Sequence, residues 1–137
     1  MRRITLIIIH CSATPEGRNL DFETCRADHI RHRGFSDIGY HFYLTRDGRI
    51  HRGRTLERMG AHCKNHNRHS VGICYEGGLS AGGMPADTRT PEQKASLLAW
   101  LRELRRVFPR AIIVGHRDLN PQKRCPCFDA VKEYGGL

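Results

Sequence analysis

Ile4-Thr5-Leu6-Ile7-Ile8-Ile9-His10 and Ile112-Ile113-Val114-Gly115-His116 decide how this chain folds. Each is a short, continuous apolar run rich in β-branched side chains, so residues 4–10 and 111–115 predict buried strands. Each also ends on a histidine, where a rigid element gives way to a loop. Working outward, Thr90-Pro91-Glu92-Gln93 is a capping box with proline at the first helical position. Leu97, Leu98, Leu101, Leu104 and Phe108 then line one helix face, and Pro109 stops it. Asn19 or Asp21 can cap a second helix over 21–33, which Gly34 ends, with Phe22, Cys25 and Ile30 on its apolar face. Residues 39–44 and 50–53 read as strands joined at Arg46-Asp47-Gly48-Arg49, where Asp-Gly supplies positive φ angles. Residues 71–75 form a further strand and residues 129–134 a last short helix. Residues 12–19, 57–69, 79–89 and 116–128 read as loops. Strands alternate with helices, so the class is α/β: one domain over 1–137, with a mixed central β-sheet flanked by helices.

The net charge of +9 favours anionic partners such as nucleic acid, a membrane surface or an acidic wall polymer. The basic residues are scattered and no aromatic-basic stacking motif occurs, so no specific nucleic-acid binding is expected. Nothing approaches the ~20 apolar residues of a membrane span. The apolar run after Arg2-Arg3 is too short for a signal-peptide core and no small-residue cleavage site follows it. The expectation is a monomer made in the cytoplasm without a cleavable signal, its six cysteines free of structural disulfides.

The chemistry gathers at the strand ends. Cys125 follows His116 by nine residues, in Lys123-Arg124-Cys125-Pro126-Cys127. Two imidazoles and a thiolate are three ligands for zinc, leaving the fourth tetrahedral position open to water, which favours hydrolysis over scaffolding. A lone strand-end histidine is ordinarily structural; His10 gains its metal reading from His116 and Cys125. His62, His66 and His69 share a polar loop, of which only His62 is expected to point inward. His29, His32 and His51 read as surface residues. Cys11 and Cys74 read as small buried packing groups, and Cys25 belongs on the buried face of its helix.

These pieces, with Asp37-Ile38-Gly39-Tyr40-His41-Phe42, Gly60-Ala61-His62 and Gly115-His116-Arg117-Asp118, occur in the order seen in one family. The chain resembles the zinc-dependent N-acetylmuramoyl-L-alanine amidases, particularly the short bacteriophage lysozymes of amidase type; peptidoglycan recognition proteins share the fold. The resemblance covers nearly the whole chain. It implies one zinc ion held by His10, His116 and Cys125, with Tyr40 and Lys123 as catalytic residues and His62 in the substrate cleft. The implied substrate is bacterial peptidoglycan, cut at the amide between N-acetylmuramic acid and L-alanine after the enzyme is released or exported. The alternative is a recognition module that binds muropeptides without cutting them; loss of the cysteine ligand marks such binders, and Cys125 is present here. Two positions stand out. Cys74 occupies a place where many members of the wider superfamily carry a general-base glutamate, as it does in the phage lysozymes, which shifts proton transfer toward Tyr40 and Lys123. Cys127 stands where those lysozymes usually carry serine, adding a thiol that could compete for the metal or oxidise with Cys125.

Overall fold

The computed structural model describes all residues from 1 to 137. A five-stranded sheet runs through it in the order β4-β3-β5-β1-β7. Its strands are β1 (Leu6–Cys11), β3 (Phe42–Leu44), β4 (Ile50–Arg52), β5 (Ser70–Tyr75) and β7 (Ile112–Gly115). β1 pairs in parallel with β5 and β7, and β3 in parallel with β5, while β4 alone is antiparallel. The mixed sheet is therefore as expected. The polar segment after β1 is not all loop, because β2 (Thr14–Pro15) pairs with β6 (Gly78–Leu79) in a small second sheet.

Alternation along β1 assigns its two faces. Ile7, Ile9 and Cys11 join the main core with Val71, Ile73 and Ile113, under Leu97, Leu101, Leu104 and Phe108 of α2 (Pro91–Val107). Each such fully buried aliphatic side chain is worth about 2 kcal/mol by transfer from water. Ile8 packs on the opposite face with Cys63 and Val114, the side on which His10 also stands. The capping box of α2 forms as predicted: Thr90 Oγ1 accepts from Gln93 N–H, and Gln93 Oε1 accepts from Thr90 N–H. The buried Gln93 also donates to the carbonyls of Leu44 and Glu76, so the cap stitches the helix to two strands.

α1 (Phe22–Arg33) is capped by Asp21, and Gly34 ends it at φ 70°. Its buried face differs from the expected one. Cys25 and His29 are buried, whereas Ile30 is 40% exposed. His29 is held inside because its Nδ1 accepts the Gly39 N–H at 2.9 Å. Residues 39–41 are not strand; pairing begins at Phe42. At the hairpin only Gly48 has positive φ (87°). Asp47 instead uses its carboxylate, accepting from Thr45 Oγ1 and Arg49 N–H, so a five-residue loop replaces the two-residue turn. The segment after β7 begins not as loop but as α3 (His116–Leu119), and α4 (Ala130–Tyr134) closes the chain.

Candidate metal centre and cleft

β1 and β7 lie side by side and in parallel, so their carboxyl ends deliver His10 and His116 to the same edge of the sheet, where open α/β sheets place ligands. Cys125 comes from the loop beyond α3. One ligand atom from each of the three residues lies within 4.8 Å of the other two. The loop is braced from both sides: Arg117 N–H donates to the Cys125 carbonyl at 2.7 Å, and the Tyr75 hydroxyl donates to the Pro126 carbonyl at 2.6 Å. A Cβ on Gly115 would stand 2.7 Å from Pro126 Cδ, so the loop can close over the strand only because position 115 has no side chain.

The donors suit a metal. His10 is buried, and burial first, then the neighbouring imidazoles of His62 and His116, hold its pKa well below the usual histidine value. Burial, then Lys123, lowers His116 as well. Both imidazoles are thus neutral, as metal ligation requires. Cys125 Sγ accepts the Cys11 backbone N–H at 3.1 Å, which holds the sulfur beside the end of β1.

His62 does point inward, and its role is tied to His10. His62 Nδ1 meets His10 Nε2 at 2.8 Å, and His62 Nε2 meets the buried Ser70 hydroxyl at 3.2 Å. The bond at Nε2 leaves Nδ1 as the free ring nitrogen of His10. Burial drives His62 down to about 3. Its ring lies over Gly72, where a Cβ would come within 2.6 Å of the ring. His66 and His69 face each other at 3.3 Å instead, outside the cluster. Tyr40 stands beside the candidate donors, its ring 5.3 Å from that of His10 and 5.4 Å from that of His29. Burial raises its hydroxyl pKa well above the ordinary value, so the group keeps its proton. Cys74, opposite His10 in the register, is buried and its thiol pKa is likewise raised by burial.

Around these residues opens a cleft of about 600 Å³. Lys123 and Arg124 belong to its lining, as do Arg33, Phe35 and Lys64, and no acidic side chain does. These last three escaped sequence reading: Arg33 looks like an ordinary basic residue closing α1, and nothing in the spacing brings Lys64 to the same space.

Comparison with known proteins agrees with this geometry. The family model described as N-acetylmuramoyl-L-alanine amidase (Amidase_2) matches residues 1–128. The endolysin of Enterobacteria phage K11 is 41% identical over 121 residues, covering 88% of this chain and 79% of the relative. The endolysin of Escherichia phage T7 is 37% identical over 123 residues, 90% of this chain and 80% of the relative. Among solved structures, the N-acetylmuramoyl-L-alanine amidase LysC from Clostridium intestinale superposes with TM-score 0.81 at 30% identity, covering 96% of this chain and 82% of that chain. Bumblebee PGRP-SA, at 23% identity and TM-score 0.80, shares the fold. The chain belongs to the N-acetylmuramoyl-L-alanine amidase family. Within it, the protein is a peptidoglycan-cleaving hydrolase of the kind found among phage endolysins.

Proposed function

We propose that residues 1–137 act as one zinc-dependent amidase domain, with His10, His116 and Cys125 as the ligands, Tyr40 and Lys123 as catalytic residues and His62 in the cleft. The observation that carries this reading is the meeting of two neutral imidazoles and one thiol within 4.8 Å at the mouth of an open cleft, three donors where a closed site needs four. Zinc held there supplies Lewis acidity toward the scissile carbonyl and lowers the pKa of bound water toward 7. The chain supplies the rest. Lys123 offers a fixed positive charge to the oxyanion that develops as the lactyl carbonyl is attacked. The Tyr40 hydroxyl, kept protonated by burial, either positions the attacking water or relays the proton that water loses to the leaving amine of L-alanine. His62 holds His10 by its Nε2 and so orients the ligand ring. The cationic lining of the cleft suits a substrate that carries free carboxylates. No helix is long and apolar enough to cross a membrane, and we place the site of action at the wall, after release or export.

The test is to measure bound zinc, and release of the L-alanine amino group from purified peptidoglycan, for wild type and Cys125→Ala. Stoichiometric zinc and amine release in the wild type, both lost in the variant, are expected. Zinc without amine release would identify a recognition module, and a wild type without zinc would refute the assignment.

A further inference from the structure

Three thiols converge on the metal loop, and one ligand set uses only Cys125. Cys11 Sγ lies 3.9 Å from Cys127 Sγ. Cys11 ends β1 directly after His10, and Cys127 lies two residues beyond Cys125, so the pair spans the strand and the loop that together hold the metal donors. The Cys11 sulfur has little room to turn away, and the Cys127 backbone is fixed. A Cβ on Gly78 would stand 2.5 Å from Cys11 Sγ, so that sulfur is packed against the β6 backbone. Cys127 is held at φ 69°, its N–H donating to the Arg124 carbonyl at 2.7 Å. Cys25, Cys63 and Cys74 are buried elsewhere and lie outside this cluster.

We propose that Cys11 and Cys127 are an oxidisable pair that hydroperoxides convert to a disulfide, and that this bond shuts the metal cleft down. The bond length of about 2.05 Å requires the sulfurs to close by about 1.9 Å, a movement that bends the loop carrying Cys125. The sequence of bonds is simple. Cys127, the more accessible sulfur, attacks one peroxide oxygen; the O–O bond breaks, giving a sulfenic acid and water. The Cys11 sulfur then attacks Cys127 Sγ; the S–O bond breaks and a second water leaves. Two thiols lose two protons and two electrons, and hydrogen peroxide is reduced to two waters. Cys125 is spared because its sulfur is committed to the metal. The pairing rests on geometry alone, whereas its effect on turnover rests on the amidase reading.

The zinc-loaded protein is treated with hydrogen peroxide, its remaining thiols are alkylated, and its peptides are mapped without reduction. The expected product joins Cys11 to Cys127 with loss of two hydrogens. It persists in Cys125→Ser and is absent from both Cys127→Ser and Cys11→Ser, so either of the latter serves if the other fails to fold. Turnover of the oxidised wild type is expected to fall at least tenfold and to return with dithiothreitol. Each variant is compared with its own reduced sample. A cross-link that survives in Cys127→Ser, or peroxide consumption that yields only sulfinic or sulfonic cysteine, overturns the pairing. A Cys11–Cys127 bond that leaves turnover and bound zinc unchanged overturns the control of the site. Reduced wild type without amidase activity would refute the amidase reading and leave the cross-link as an independent result.

Discussion

Arg89 and His10 are both nearly inaccessible polar side chains, 7% and 2% exposed, yet their surroundings treat them in opposite ways. Arg89 is saturated. Its guanidinium pairs with Asp87 at 2.9 Å and Glu133 at 2.8 Å, lies over the Phe128 ring with its carbon 3.5 Å from the centroid, and donates to the Tyr134 hydroxyl. The cluster ties the 79–89 excursion to α4 and leaves no donor over for a ligand. His10 is unsaturated by design of its neighbours. One ring nitrogen goes to His62, the other is left over, and the next donors are His116 and Cys125. A buried polar cluster with every group paired fastens the chain; one that gathers unpaired donor atoms within 4.8 Å of one another could hold an ion.

Substitutions can separate the two kinds of cluster. Tyr40→Phe is expected to cost about 10²- to 10⁴-fold in kcat while zinc content stays stoichiometric, since only a proton carrier is removed; loss of zinc would show that Tyr40 supports the ligands instead. Arg89→Met is expected to lower stability by about 3 kcal/mol, the low end for a broken buried pair because both carboxylates are partly exposed. The urea midpoint reads this, and zinc affinity of the folded protein should not move. His62→Ala is expected to weaken zinc about 10- to 100-fold in competition with a chelator. A rise in KM with unchanged zinc affinity would make His62 a substrate contact and not a positioning residue.

The smallest effect concerns pH. His41 Nδ1 accepts the Gly72 N–H and its Nε2 donates to the Arg58 carbonyl, so the ring is neutral in the fold. Burial lowers its pKa to about 4, and burial lowers that of His29 as well. The unfolded chain therefore binds more protons, and stability present above the ordinary histidine pKa of about 6.5 is lost as pH falls toward 4. His10, His62 and His116 act in the same direction when no metal is bound, so thermal melts of the zinc-free protein should show it less stable at pH 5.5 than at pH 7 by at least the about 1 kcal/mol that His41 alone supplies. A stability that rises over that interval would mean these rings are charged in the native state.

The three candidate metal donors are legible because each stands at a discontinuity that sequence displays: a β-branched run that stops at histidine, or a cysteine framed by lysine and proline. The contacts that complete the site carry no such mark. His62 reaches His10 because Gly72, ten residues later and on another strand, yields the space. His29 looked exposed on a helix with little amphipathic character, and only the Gly39 N–H that it receives explains its burial. Arg89 ends a stretch rich in glycine and proline that reads as loop, and although Asp87 is two residues away, its second carboxylate partner, Glu133, is 44 residues away. Local periodicity conveys which elements form; pairing across such separations depends on packing that no window of sequence contains.

Gly72 and Gly115 also govern how this scaffold can be diversified. Any side chain at 72 would strike the His62 ring, and any at 115 would strike Pro126. The floor of the cleft is thus closed to variation: a library randomised along the strands would return mostly proteins that have lost their ligand geometry. The rim is open. Arg33, Lys64 and Arg124 are exposed and free of ion pairs, so they can be exchanged without disturbing the ligands. Retargeting this protein to a chemically different cell wall is a problem of loops and helix ends, with the sheet left as it is.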